Sequence, residues 1–247
     1  MPANTELFTL KSADYARFRP SYPETAVRWL KSRTAGEHVL DIGAGTGIFT
    51  RLLPDHFQHV SAVEPNEEMR TKFQALLPDV PCSDGTGENT KLPENSIDLI
   101  TVAQAFHWLD AELFKKEALR LLRPGGKTAI IWNTSLKNDF TVECNRICQK
   151  YCPRFKNGHA GKRSPEEGDA FLRNTFFKTV EVVSFDNPFT MDPAAFEGNM
   201  RSRSYALQPG DRAYALFTAE LRALFERHAR NGLVTEPQET QIYCGTF

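Results

Sequence analysis

Three glycines at alternating positions, Gly43, Gly45 and Gly47, follow closely on an acid, Asp41, in the stretch HVLDIGAGTG at residues 38–47. Val39 and Leu40 read as the end of a buried parallel strand, with Asp41 at its carboxyl tip. Glycine has no Cβ, so the backbone at Gly43-Ala44-Gly45-Thr46-Gly47 is free to turn sharply and to approach a ligand closely. Ile48, Phe49, Leu52 and Leu53 fall at helical spacing, so a helix is expected from the turn to Leu53. A strand, a glycine turn and a helix make one wall of a nucleoside-binding crevice at the carboxyl edge of a sheet.

The spacing narrows the nucleoside. A dinucleotide fingerprint, G-x-G-x-x-G, sets a pyrophosphate on the helix N-terminus. Here the third glycine comes one residue early, and Asp41 would repel a pyrophosphate while attracting an ammonium group. No Gly-Lys-Ser/Thr follows, which excludes a Walker loop. The ligand should therefore join a nucleoside to a cationic tail. S-adenosylmethionine, with its adenosine, sulfonium and α-amino group, meets that description. The plain alternative is a tight strand–helix turn that binds nothing.

The elements around the turn alternate. Helix is expected from about Pro23 to Arg33, strand at about 37–41, strand at about 58–63, and helix from Pro65-Asn66 to Leu77, where Glu67 and Glu68 suit the positive helix start. A weak third strand lies near Val80–Ser83. Ile97–Val102 is a continuous apolar run, as a buried parallel strand requires. A helix from Asp110 to Leu122 should end at the turn Pro124-Gly125-Gly126, followed by strand Lys127–Trp132. Beyond Asn133 come helix at about 139–151, a loop over 153–168, an alternating strand at 179–186, helices at about 193–205 and 211–230, and an alternating end, TQIYCGTF, suited to antiparallel pairing at the sheet edge. Strand–helix alternation specifies an α/β, doubly wound, mostly parallel sheet with helices on both faces.

Four segments together carry a family resemblance: DIGAGTG, SAVEPNEEM (61–69), SIDLITVAQAFHWLD (96–110) and LRLLRPGGKTAIIWN (119–133). From about Tyr15 to Asn133, and more loosely to the C-terminus, the chain resembles class I S-adenosylmethionine-dependent methyltransferases, most of all the small-molecule branch that includes trans-aconitate methyltransferase. The resemblance implies a seven-stranded Rossmann-like sheet and S-adenosylmethionine as cofactor. It implies three parts: an N-terminal segment and helix over the cofactor (1–36), a cofactor-binding core (37–133), and the rest of the sheet (134–247) with a helical cap at about 190–232.

Site roles follow on the same footing. Glu64, about twenty residues past the glycine turn, is placed to accept both ribose hydroxyls, or else to cap the helix opened by Pro65. Met69 lies against adenine or in the core. The turn Gly85-Thr86-Gly87-Glu88 lines the adenine pocket, with Asp84 or Glu88 accepting from the exocyclic amine, or is a simple turn. Ala103 and Gln104 would lie beside the methionine part. His107 has a near-neutral intrinsic pKa and is either a general base or a histidine that shapes the loop. Trp108 stacks on a ligand or packs under the cap. The N-terminal segment would fold over the cofactor, with Tyr15 closing the pocket and the planar fork of Arg19 binding a carboxylate; a packing tyrosine and a surface arginine are the alternative. In the cap, Arg201, Arg203 and Tyr205 are candidates to hold an anionic acceptor, or are solvated surface groups.

Composition excludes other classes. A net charge of −1 gives no electrostatic footprint for nucleic acid. No apolar run reaches membrane-spanning length, and MPANTELFTLKS lacks the apolar centre of a secretion signal, so a cytoplasmic protein with reduced thiols is expected. Cys144, Cys148 and Cys152, with His159 nearby, are spaced for one helix face, half-buried, rather than for a zinc knuckle, and no metal is expected. The oligomeric state is not specified.

The sulfonium is already a good leaving group, so the protein's main task would be alignment of acceptor, methyl and sulfur in a water-poor pocket. A carboxylic acid methylated on oxygen is the leading expectation for the acceptor, since a carboxylate is ionised at neutral pH. Two other classes stand beside it: a nucleotide oxidoreductase using an NAD-type cofactor on a similar sheet, and a module that binds S-adenosylmethionine without transferring its methyl.

Overall fold

The computed structural model describes residues 18–155 and 165–247, so Tyr15 and His159 lie outside the described residues. Seven strands form one sheet in the order β3-β2-β1-β4-β5-β9-β6. Four pairings, among β1 (His38–Ile42), β2 (His59–Val63), β3 (Cys82–Ser83), β4 (Ile97–Ala103) and β5 (Leu122–Ser135), are parallel. β9 (Gln238–Thr246) runs antiparallel between β5 and β6 (Thr179–Asp186). The apolar runs in β1 and β4 are buried because both sheet faces are covered. One face packs Phe114, Ala118 and Leu121 of α3 (Ala111–Leu121); the other packs Ala26, Val27 and Leu30 of α1 (Glu24–Ser32).

The remaining elements are α2 (Glu67–Leu76), α4 (Asp139–Tyr151), α5 (Pro165–Phe171), β7 (Phe189–Met191), α6 (Pro193–Ser202), α7 (Tyr214–His228) and β8 (Val234–Glu236). Helices α4, α6 and α7 share a separate apolar cluster, with Phe140 and Ile147 packed among Phe196, Met200, Phe217 and Leu221. Cys144, Cys148 and Cys152 belong to this cluster and are fully rather than half buried.

Several local expectations are corrected. β1 continues through Ile42, so Asp41 sits inside the strand and not at its tip. No α-helix follows the glycine turn; only a single 3-10 turn forms, at Thr50–Leu52. Gly47 holds a left-handed φ of 86°, and Pro54 lacks an N–H and would clash with a preceding turn, so the six residues between them are too few to propagate a helix. The Pro124-Gly125-Gly126 stretch is not a free turn. It is a bulge inside β5, where pairing jumps from Ile97–Leu122 to Leu99–Lys127 and Gly125 takes φ 81°. The C-terminal strand lies inside the sheet, and β6 takes the edge.

Candidate active site

The glycine turn begins one residue after β1 ends. Gly43, Gly45 and Gly47 adopt φ values of 67°, 58° and 86°, which L side chains rarely tolerate. A Cβ on Gly43 would come within 2.6 Å of the Cβ of Ala105, so the turn presses directly on the loop that follows β4. Gly87 abuts Ile42 and Leu109 in the same way, with a Cβ there meeting both at 3.0–3.1 Å. The glycine turn, the Thr86-Gly87-Glu88 turn and the Ala103–Leu109 loop thus meet at the carboxyl ends of β1, β3 and β4.

Two buried acids flank the turn. Glu64, just past β2, accepts the Gly45 N–H at 2.9 Å through Oε2 and the Asn66 N–H at 2.9 Å through Oε1. It therefore braces both the turn and the start of α2, where Asn66 caps by accepting the Met69 N–H. Burial raises the Glu64 pKa above the ordinary carboxylate range. Asp41 lies beneath the turn, 1 % exposed, and accepts from Thr50 Oγ1 at 2.6 Å and Thr101 Oγ1 at 2.8 Å. Each of its oxygens accepts from one of these hydroxyls, so the carboxylate is held directly beneath the turn, where its charge can favour a ligand's ammonium group at a distance or through water. Burial pushes its pKa up to about 6. Asp41, directly beneath the turn, opposes a pyrophosphate and favours a cation, whereas Glu64 suits the ribose of either kind of nucleoside ligand.

One further feature, Thr46, fits S-adenosylmethionine, whereas the burial of Met69 suits a core residue and an adenine neighbour alike. Thr46 Oγ1, in the middle of the turn, is buried with no hydrogen-bond partner among the described residues, so it is available to a polar ligand group. Met69 is buried on α2 beside its cap. Asp84 is exposed and pairs with Arg70 at 3.3 Å, while Glu88 accepts the Asp110 N–H at 2.8 Å and so helps to hold the start of α3.

At the tip of β4, Gln104 takes a left-handed φ of 56°, an uncommon conformation for a residue with a Cβ and a frequent mark of a functional position. Its Nε2 donates to the Asn133 carbonyl at 2.9 Å. His107 and Trp108 follow on a 3-10 turn (Phe106–Trp108), where the His107 ring lies 4.6 Å from Trp108 and 5.4 Å from Trp132 of β5. Burial among these indoles lowers the His107 pKa to about 4, so its imidazole is neutral at pH 7.

The three residues of the RSRSY segment separate. Arg201 turns to Glu197 at 4.0 Å and lines a shallow cleft between α6 and α7 with Tyr214 and Phe217. Arg203 is enclosed: it donates to the Tyr205 hydroxyl at 2.9 Å and lies 3.7 Å from Glu236, itself 4 % exposed. Ser135, at the end of β5, donates to the same Glu236. Arg19 reaches this corner as well, its Nη2 donating to the Ser202 carbonyl at 3.2 Å. Arg19 is thus bonded to the chain next to Arg203, at the C-terminal end of α6.

Some residues of this region carried no role in the sequence reading: Ser21, Asn133, Asn187, Thr240 and Glu236. Asn133 and Asn187 had a signal, because each is a carboxamide directly following a strand expected from the sequence, at 127–132 and 179–186.

A family model described as a methyltransferase domain matches residues 40–130. An uncharacterised methyltransferase-like protein of Schizosaccharomyces pombe is 36% identical over 204 residues, 77% of this chain and 78% of that protein. An uncharacterised methyltransferase of Mycobacterium tuberculosis is 45% identical over 120 residues, 49% of each chain, so the match spans about half the length of that relative. Among solved structures, a type II methyltransferase, so described, of Anaeromyxobacter dehalogenans superposes with a TM-score of 0.63 at 23% identity, over 93% of this chain and 98% of that one. The YcgJ protein of Bacillus subtilis gives 0.57 at 20% identity, over 91% and 100%. These two likenesses show the shared fold.

Proposed function

The chain belongs to the class I S-adenosylmethionine-dependent methyltransferases, and on that premise we propose that it methylates a small anionic acceptor, a carboxylic acid on oxygen, in the manner of the branch that includes trans-aconitate methyltransferase. The observation that carries the cofactor half is the brace between Glu64 and the Gly45 N–H, which fixes a carboxylate at the rim of a left-handed glycine turn. S-adenosylmethionine, when bound, supplies an electrophilic methyl on a sulfonium leaving group. In this reading Gly43, Ala44, Gly45, Thr46 and Gly47 cradle the amino-acid part, with Asp41 contributing charge from below. Glu64 accepts the ribose hydroxyls beside Pro65, Met69 and the turn of Thr86, Gly87 and Glu88 border adenine, and Ala103 and Gln104 border the methionine part. Tyr15, outside the described residues, and Arg19 complete the cover.

The acceptor half draws on the corner at the C-terminal end of α6. Arg203 pairs with Glu236 there and Arg19 donates to the adjoining Ser202 carbonyl, so two guanidinium groups, whose planar forks suit a carboxylate, border that corner. Trp108 and Tyr205 supply apolar wall, and Arg201 adds long-range charge from the outer face. A carboxylate needs no base, and His107, neutral at pH 7, acts by shape and by excluding water. The reading includes a cytosolic location, in keeping with the five free cysteines; among the described residues no helix is long and apolar enough to cross a membrane.

The test supplies methyl-labelled S-adenosylmethionine and a panel of small mono-, di- and tricarboxylic acids, amines and phenols. An ester product releases labelled methanol in mild base. Label retained on amines or phenols, with none on acids, rejects the acceptor assignment.

A further inference from the structure

Residues 18–22 run from the cap to the sheet, and one residue in them touches both banks of the proposed cofactor cleft. The Ser21 carbonyl accepts two carboxamide N–H groups, from Asn133 Nδ2 at 3.1 Å and from Asn187 Nδ2 at 2.8 Å. The Ser21 hydroxyl accepts from Arg51 Nη2 at 3.0 Å, and Arg51 lies on the 3-10 turn just after the glycine turn. One bank is thus the glycine-turn side and the other is the tip of β5. The Asn133 Oδ1 uses both its lone pairs, accepting from Asn187 Nδ2 at 3.2 Å and from Thr240 Oγ1 at 2.5 Å. Its own carbonyl holds the left-handed Gln104 at the tip of β4.

The segment is seated at its other end as well. A Cβ on Gly198 of α6 would fall within 2.1–2.5 Å of the Phe18 ring, so glycine there lets Phe18 lie flat on the helix. Next to it, Arg19 bonds to the Ser202 carbonyl. Tyr22 stands edge-on to Phe49, 5.0 Å away, on the glycine-turn side.

The resemblance already puts the N-terminal segment over the cofactor; we propose that Asn133 and Asn187 are positioning residues that latch its residues 18–22, as a strap, through the Ser21 carbonyl. The latch couples strap closure to the posture of Gln104, because Asn133 bonds to Ser21 with its side chain and to Gln104 with its backbone. Its effect is on the residence of S-adenosylmethionine: the strap must leave the Ser21 bonds for the ligand to escape. The proposal rests on the reading of the glycine turn as the cofactor site.

The test measures association and dissociation rates of S-adenosylmethionine by stopped flow. The wild type must first bind the ligand; absence of binding rejects the functional reading itself. Asn187→Asp replaces a donor with an acceptor facing the Ser21 carbonyl. We expect dissociation to quicken about tenfold, the worth of one hydrogen bond turned repulsive, with the association rate within about twofold of wild type. Arg51→Gln, on the exposed side, removes the other tie without touching the core and should quicken dissociation about threefold. It decides the matter if Asn187→Asp does not fold. Unchanged dissociation in the folded variants overturns the proposal, as does an equal fall in association and rise in dissociation together with a lowered Tm of the free protein, which would mark general loosening.

Discussion

The Gly45 N–H and the Glu64 carboxylate meet at 2.9 Å across the rim of the glycine turn, and a second N–H, from Asn66, fills the other oxygen. Both donors are backbone, so Glu64 is held in place before any ligand arrives, with lone pairs to spare for hydroxyls. Glu64→Ala should weaken S-adenosylmethionine binding by about 1–3 kcal/mol through lost charge-assisted hydrogen bonds. Calorimetry checks this. An unchanged affinity removes Glu64 from the site and leaves it as a brace alone.

Asp41 should trade stability for affinity. Its folded pKa, about 6, lies above the ordinary 3.8. The folded state therefore holds a proton between those values that the unfolded state has released, and stability falls as pH rises through that window. Asn at this position keeps acceptor and donor capacity for Thr50 and Thr101 without the buried charge. Asp41→Asn should gain about 2 kcal/mol more over wild type at pH 8 than at pH 4, read by denaturant unfolding at the two pH values. The same variant should bind S-adenosylmethionine less tightly at pH 8, with a comparable loss for S-adenosylhomocysteine, which lacks the sulfonium but keeps the α-ammonium group. A variant that loses stability at pH 8 relative to pH 4 contradicts the buried-charge account.

The class of fold, and the elements that border the candidate cleft, were legible because they follow from short-range signals: apolar runs for β1 and β4, glycines for the turn, and an acid about twenty residues on. Apart from one local feature, what escaped depended on long-range pairing. The missing helix after Gly47 depended on how far chain geometry runs before Pro54, and apolar spacing alone mimicked a helix there. The inward place of β9 follows from two antiparallel partners that a single alternating segment does not name. Arg203 reads as a surface charge in RSRSY until Glu236, more than thirty residues later, is seen to enclose it. Ser21 and Asn187 are 166 residues apart, and nothing local joins them.

His107 divides two mechanisms. Its folded pKa, about 4, lies below the ordinary 6.5, so between those values the unfolded chain binds a proton that the folded chain refuses. Stability from this group is full above pH 6.5 and is lost as pH falls toward 4. His107→Phe should therefore improve, relative to wild type, by about 2 kcal/mol on going from pH 7 to pH 5. If the acceptor is a carboxylate, the kcat of His107→Gln should stay within about tenfold of wild type, whereas a general base would cost about 10²–10⁴-fold. A loss in the larger range would assign His107 a proton and point to an alcohol or amine acceptor.

Arg203 and Glu236 must be changed together. Removing the guanidinium alone would strand a buried carboxylate, a fault that costs about 3–5 kcal/mol and would blur any kinetic effect. The pair Arg203→Met with Glu236→Gln keeps volume and the acceptor for Ser135 while removing both charges. Arg19 would then face the acceptor alone. For a carboxylic acid, the KM of the acceptor should rise about tenfold or more, near the worth of one charge-assisted hydrogen bond, with the KM of S-adenosylmethionine unchanged. Steady-state kinetics on the double variant separates the two constants. Equal rises in both would mean that this corner supports the cleft as a whole and does not read the acceptor's charge.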